Sequence, residues 1–211
     1  MSLCITGGAG FVGSSLARRY RRHDSELRIV AFDNLKRRGS EFNLADFKEL
    51  NIEFTHGDVR NAADLEALEG DFDLLIDASA EPSAHAGSDG TPDYLIDTNL
   101  KGTLNCLEWA RRRAAAFLFL SSSRVYALPA LRELPLHEEE TRFSIDLDHP
   151  LPTGLSAAGL SETFDTSHHR SLYGATKLAS ELFVQEYCAT YGMKALINRC
   201  GVIAGPGQWG K

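Results

Sequence analysis

Cysteine, tryptophan and methionine are scarce in this chain, with four, two and two among 211 residues. Cys4, Cys106, Cys188 and Cys200 lie far apart, none in a Cys-x-x-Cys pair, each in an apolar stretch. That spacing argues against a disulfide framework or a thiolate metal site. It reads as buried free thiols in a reducing compartment, the cytoplasm. The seven histidines show no ligand spacing, and the adjacent His168 and His169 suit a solvated loop, so no metal is expected. No apolar run approaches the ~20 residues that cross a bilayer. No basic segment precedes a long apolar one near Met1, so neither a membrane span nor a secretory leader is expected. Positive charge is also short: 22 basic residues face 29 acidic ones, a net −7, which argues against a nucleic-acid partner. Internal repeats and low-complexity linkers are missing. What remains, 43% apolar and 24% charged residues, is the composition of a globular chain with one sizeable core.

Short apolar runs alternate with amphipathic stretches along the whole length. "SLCIT", "LRIVAF", "NIEFTHG", "FDLLIDAS", "AAFLFLSSS" and "KALINRC" read as six strands. "FVGSSLARRYRR", "AADLEALEG", "PDYLIDTNLKGTLNCLEWARRR" and "SLYGATKLASELFVQEYCATYG" read as helices. Strands apolar on both faces, alternating with helices, predict an α/β fold, a Rossmann-type doubly wound parallel sheet. Residues 127–170 break the rhythm with Pro129, Pro135, Pro150, Pro152 and a "HEEE" run. A structureless stretch of that length is usually functional or disordered. It is expected above the C-terminal edge of the sheet, where ligands bind in such folds.

"TGGAGFVG" follows the first strand and opens the first helix. Gly7 allows a tight turn, Gly10 a close backbone approach, and Gly13 close helix packing. Together with Phe11 and Val12 they predict a pyrophosphate cradle at a helix N-terminus. Ser14 stands where a Walker P-loop needs lysine, which excludes that alternative. Asp33 ends the second strand, placed to accept hydrogen bonds from an adenosine ribose and to repel a 2′-phosphate. NAD is therefore expected over NADP, although Lys36, Arg37 and Arg38 follow closely and oppose that preference. Asn34 is adjacent. Asp58 is expected to meet the adenine amino group, with Val59 on its face. Ala78, Ser79 and Ala80 supply small residues for close approach after strand four.

Tyr173 and Lys177 lie four residues apart, on one face of a helix. Alone, such a pair reads as an exposed helix surface. Beside the glycine loop it reads as a base and its tuner: an ammonium near a phenol stabilises the phenolate.

With "TGGAGFVG", "FDN", "GDVRN", "TNLKGTLNCLEWA", "SSSRVY" and "YGATK" in place, the chain resembles the extended short-chain dehydrogenase/reductase family. The resemblance, to nucleotide-sugar epimerases and dehydratases in particular, runs from residue 3 to the end. It implies catalytic roles for Ser122, Tyr173 and Lys177, with Ser123 the alternative to Ser122. Asn99 matches an asparagine that supports the active-site helix on the cofactor side. Cys200 falls on that side too. Ser123, Arg124 and Val202 fall on the substrate side. In this scheme Tyr173 removes a hydroxyl proton while hydride moves to the nicotinamide, and Lys177 also holds the nicotinamide ribose.

Dehydratases of the family follow the catalytic residue with Asp-Glu; here Ser123 and Arg124 stand there, which disfavours elimination. Many more positions separate Ser122 from Tyr173 than in typical UDP-galactose 4-epimerases. "ETR" within "EETRFSIDLDHP", and "FDNLKRRGSEFNL", look like the CDP-paratose 2-epimerase branch. A nucleotide-sugar substrate, with a CDP-sugar favoured, is the implied partner. Alternatives are a UDP-sugar 4-epimerase, a nucleotide-4-keto-sugar reductase and a non-catalytic NAD-binding scaffold. Asp77 and Glu81 depart from the family's frequent His and Gln. Residues 1–211 are expected to form the NAD-binding domain, with most of the C-terminal substrate domain missing. The resemblance also implies a homodimer through helices 92–113 and 171–191.

Overall fold

The computed structural model describes residues 1–88 and 90–208; the expected domain's stretch 209–211 lies outside them. Six parallel strands form the main sheet: β1 (Ser2–Thr6), β2 (Arg28–Asp33), β3 (Glu53–His56), β4 (Leu74–Asp77), β5 (Ala116–Ser122) and β10 (Ala195–Cys200). Their spatial order is β3-β2-β1-β4-β5-β10, the doubly wound order expected. The chain reverses direction of growth between β1 and β4, and the cleft lies at the carboxyl ends of these strands.

Alternation along the strands divides the core. Cys4, Val30, Phe32, Leu75, Phe117 and Phe119 point to one face. There they meet Cys106, Leu107 and Trp109 of α5 (Gly102–Arg112) and Val184 of α7 (Leu172–Tyr191). Leu3, Ile5, Ile29, Ala31 and Ile76 point to the other face. They meet Ala17 of α1 (Phe11–His23) and Phe47 of α2 (Asn43–Glu49). The sequence pattern gave no helix at α2. Its seven residues carry few apolar side chains, and burial of Phe47 holds it. α3 (Ala62–Glu66) is capped by Asn61, whose side chain accepts from the Ala63 N–H.

The long helix expected over 92–113 is continuous but not uniform. α4 (Asp93–Ile96) passes into one π-helical turn, Asp97–Lys101, and then into α5. Such widened turns concentrate at functional sites. Here the Asn99 carbonyl inside the turn accepts from the Ser180 hydroxyl of α7 at 3.1 Å and from the Thr103 hydroxyl at 3.1 Å.

The first half of α7 has an inverted pattern. Capped by Ser171 and ended by left-handed Gly192, the helix buries Thr176, Lys177, Ser180 and Glu181 against the sheet. Leu172, Leu182, Phe183 and Tyr191 face outward. The buried polar groups are hydrogen-bonded, as low dielectric requires. Glu181 accepts from Arg199 Nη2 at 2.7 Å and from Ser121 Oγ at 2.5 Å. Register explains that meeting, since Arg199 on β10 and Ser121 on β5 are direct neighbours.

The excursion is neither structureless nor part of the cleft wall. It folds as α6 (Leu128–Arg132) and two hairpins, β6 (Leu136–Glu138) with β7 (Phe143–Ile145), and β8 (Leu155–Ser156) with β9 (Gly159–Leu160). A satellite core of Val125, Tyr126 and Phe164 anchors it, with Leu178 of α7 packed alongside. Backbone bonds from Ala127 to Asp165 and from Leu128 to His169 tie its two ends together. Phe164 is buried, edge-on to Tyr126 with ring centroids 5.7 Å apart. Phe164→Ala should cost about 3 kcal/mol. Urea unfolding should show a lower midpoint, and limited proteolysis should cut first within 127–170; cleavage elsewhere first would contradict this anchoring.

Candidate active site

A cleft of about 630 Å³ runs along the carboxyl edge of the sheet. The glycine loop forms one end. Gly7 has φ +62°, and a Cβ on it would meet the Ala78 carbonyl at 2.7 Å. A Cβ on Gly13 would stand 2.2 Å from the Gly7 carbonyl oxygen. Gly10 is different: its Cβ would meet only that same oxygen, at 3.1 Å. Gly7 and Gly13 are thus required by the protein's own packing, whereas Gly10 leaves its space open toward the cleft. No side chain caps α1 and no acidic residue occupies its first turn, so its leading N–H groups remain available to an anion. These features fit a pyrophosphate cradle.

Asp33 lines the cleft beside this loop. Its oxygens accept from the N–H of Ala9 at 3.1 Å and of Leu35 at 2.8 Å. Burial pushes its carboxyl above the usual range, and those N–H groups oppose the rise. Asn43, not singled out in the sequence, donates to the Ala9 carbonyl at 2.9 Å and accepts from Arg18 at 2.9 Å, bracing the loop. Lys36 places its ammonium 4.1 Å from the Tyr94 ring centroid, with Arg60 over the same ring at 4.9 Å.

Two expected cofactor residues stand outside the lining. Asp58 was expected to meet adenine, yet its carboxylate is held by Arg60 at 2.6 Å and by Asn34 at 2.9 Å. The Arg60 guanidinium, first among the causes, brings its carboxyl down to about 2. The nearest partner of Asp58 is thus a local guanidinium two residues away. Asn99 is fully buried behind the wall. Its side chain accepts from the Glu81 N–H at 2.7 Å and donates to the Glu81 carbonyl at 3.2 Å. It therefore fixes the loop after β4, and its carbonyl steadies α7. The cleft lining does include Gly7, Gly10, Phe11, Val12, Gly13, Asp33, Asn34, Val59, Ala78, Ser79, Ala80 and Cys200.

Ser122, Ser123, Arg124, Tyr173, Lys177 and Val202 line the same cleft away from the loop. Ser122 closes β5 and accepts from the Arg124 N–H at 3.1 Å, starting the tight turn Ser123–Val125. That turn lies directly against α7: a Cβ on Gly174 would meet the Arg124 carbonyl at 2.1 Å. The glycine after Tyr173 is what lets the helix approach. Burial raises the Tyr173 phenol above its ordinary value; hydrogen bonding with Ser122 and the Arg124 charge pull it back. Lys177, expected to be the tuner, is 2% exposed and donates to the Leu120 carbonyl at 2.9 Å. Its ammonium lies 4.6 Å from the Phe119 ring centroid, and burial lowers its pKa.

The NAD dependent epimerase/dehydratase family matches residues 3–211. The chain is 31% identical to CDP-paratose 2-epimerase from Salmonella typhi, over 99% of this chain and 59% of that one. It is 30% identical to dTDP-glucose 4,6-dehydratase from Salmonella typhimurium, over 98% of this chain and 55% of the relative. A dTDP-glucose 4,6-dehydratase double mutant from Streptomyces venezuelae, solved with NAD, superposes with TM-score 0.71 at 27% identity. That match covers 99% of this chain and 58% of the other. The chain thus spans little more than half the length of these relatives.

The contrast between glycines is testable. Gly13→Ala should lower the melting temperature, since its Cβ must displace backbone. Gly10→Ala should melt close to wild type yet bind NAD more than ~10-fold more weakly, about 1.4 kcal/mol. Calorimetry with NAD and thermal melts check both; unchanged NAD affinity in Gly10→Ala would remove the cradle assignment.

Proposed function

The chain belongs to the NAD dependent epimerase/dehydratase family, and from that premise we propose that it is an NAD-dependent nucleotide-sugar epimerase, with a CDP-sugar 2-epimerase the favoured form. The observation that carries this reading is one cleft lined both by the glycine loop with Asp33 and by Ser122, Tyr173 and Lys177. The glycine loop and the α1 N-terminus hold the pyrophosphate, and Asp33 takes the adenosine ribose. Bound NAD supplies a cationic ring, a hydride acceptor and the hydride that later returns to the ketone.

The chain's own groups handle the proton and the geometry. Tyr173 removes the proton from a sugar hydroxyl, and Ser122 hydrogen-bonds the same oxygen. The phenol starts above its ordinary value, so its ionisation depends on positive charge gathered around it. Arg124 supplies part of that charge from within the chain. Lys177 gives one N–H to Leu120 and has two more for the ribose hydroxyls. Ser123, Arg124 and Val202 form the substrate side. An epimerase needs no group to eliminate water, and Ser123 and Arg124 stand where a dehydratase is expected to carry Asp-Glu. The 31% identical CDP-paratose 2-epimerase supports the choice of a CDP-sugar.

The reading includes a homodimer. Leu182, Phe183 and Tyr191 on α7 and Ile96 on α4 are exposed. Their burial against a second copy would cover the outward stripe of α7.

Incubation of the full-length enzyme with CDP-paratose and NMR analysis should show CDP-tyvelose without net NADH; no CDP-tyvelose, with UDP-glucose converted instead, would sink the CDP assignment. Tyr173→Phe should lose turnover by ~10²-fold or more while binding NAD as before. Full turnover in that variant would remove Tyr173 from the proton step, and NAD binding without turnover in the wild type would favour a scaffold role. Sedimentation should give a dimer for the wild type and a monomer for a Leu182→Glu/Phe183→Glu variant; a wild-type monomer would contradict the interface.

A further inference from the structure

The sheet register places three side chains in a row beneath the helices. Thr6 on β1 pairs with Asp77 on β4, and Asp77 pairs with Phe119 on β5. Alternation sends all three to the face covered by α5 and α7, since Cys4, Leu75 and Phe117 two residues earlier point there. Lys177 hangs from α7 over Phe119, the last member of the row.

Asp77 is fully buried. Oδ1 accepts from Thr6 Oγ1 at 2.8 Å, from Ser79 Oγ at 2.6 Å and from the Ser79 N–H at 3.2 Å. Oδ2 accepts from Thr103 Oγ1 at 2.8 Å. Three donors converge on Oδ1, and the single Thr103 hydroxyl, shared with the Asn99 carbonyl at 3.1 Å, lies closer to Oδ2; a carboxylate that only accepts satisfies all of them. Among the described residues no cation forms an ion pair with it. The core therefore holds an anion with hydrogen bonds and no countercharge.

Lys177 has the complementary problem: a buried ammonium bonded to a carbonyl and resting on a ring. The titratable groups that act on it most are Asp77 of β4, Cys106 of α5, Cys200 of β10 and Glu181 on its own helix, and Tyr173 lies one turn earlier on that helix. Both thiols are pushed above their ordinary value by burial, so both are neutral at pH 7. Glu181 is matched by Arg199, which reaches it through Nε at 3.1 Å and Nη2 at 2.7 Å. Cys4, close to Asp77, is pushed up to about 12 by its burial and is neutral as well. One unmatched anion and one unmatched cation remain on this face of the sheet.

We propose that Asp77 is the countercharge of Lys177, a positioning residue that keeps the ammonium protonated inside the core through electrostatic attraction without direct contact. At low effective dielectric such an attraction persists where water would screen it. Through Thr6, Ser79 and Thr103 the same carboxylate ties the start of the glycine loop, the loop after β4, and α5 into one unit. The inference deepens the reading of Lys177 given above, and its test uses no turnover, so the two stand or fall separately.

Lysine side-chain NMR on the 211-residue protein, with Lys177 assigned by Lys177→Arg, reads the ammonium's titration directly. Removing the anion makes the charged form less favourable, so Asp77→Asn should move the Lys177 midpoint down by about one pH unit. The other lysines should not move. Thr103→Val, which removes one hydroxyl but leaves the carboxylate, should leave the Lys177 midpoint in place. A Lys177 that stays charged or titrates unchanged in Asp77→Asn overturns the proposal. So does an equal shift in Thr103→Val, which would make the effect structural. If Asp77→Asn does not fold, Asp77→Ser, which keeps a hydroxyl for Thr6 and Thr103 but carries no charge, repeats the test, and an unmoved Lys177 midpoint there overturns the proposal.

Discussion

A positive charge buried between a sheet and a helix is the constraint on which this architecture turns. Lys177 is placed where an apolar side chain would pack without penalty, and an unmatched buried ion is expensive. Several features around it follow from that choice. The Leu120 carbonyl lies within reach at 2.9 Å, and the Phe119 ring lies beneath. The turn after Lys177 brings Glu181, which needs Arg199 and Ser121 in turn. The stretch of α7 from Thr176 to Glu181 consequently buries polar groups, while Val184 further along packs in the core as on an ordinary helix.

The same constraint places the cleft groups. Because α7 must lie close enough for Lys177 to reach the sheet, its first turn lies on the turn after β5. Gly174 is the residue that permits this approach. Tyr173 and Ser122 are brought to one wall of the cleft as a result. At the opposite end, Gly13 does the corresponding work by letting α1 lie on the loop that precedes it.

Much of this was legible in the chain. Six apolar runs appear as six strands in the expected order, because strands covered on both faces need no help from distant residues to be recognised. "TGGAGFVG" and "YGATK" carry their own geometry: a turn, a close approach and a helix repeat are all local. Less visible were features decided by tertiary partners. The fate of Asp58 depended on Arg60 and Asn34, and that of Asn99 on the backbone of Glu81 eighteen positions away. The π-turn at Asp97–Lys101 left no mark in an otherwise regular apolar spacing. Asp77 looked like an odd departure at the end of strand four. Only the register with Thr6 and Phe119 shows what surrounds it. Residues 127–170 looked irregular because their hairpins are two or three residues per strand, too short for a period to emerge.

That excursion tolerates changes of length. Its two ends are joined by backbone bonds, Ala127 to Asp165 and Leu128 to His169, close to where it leaves the body of the fold. Chain inserted between stapled ends lengthens a closed loop, and closure cost rises only slowly with length. The segment therefore behaves as a cassette. Added length between those stapled ends costs the fold little, while Ser122 upstream and Tyr173 downstream keep their places.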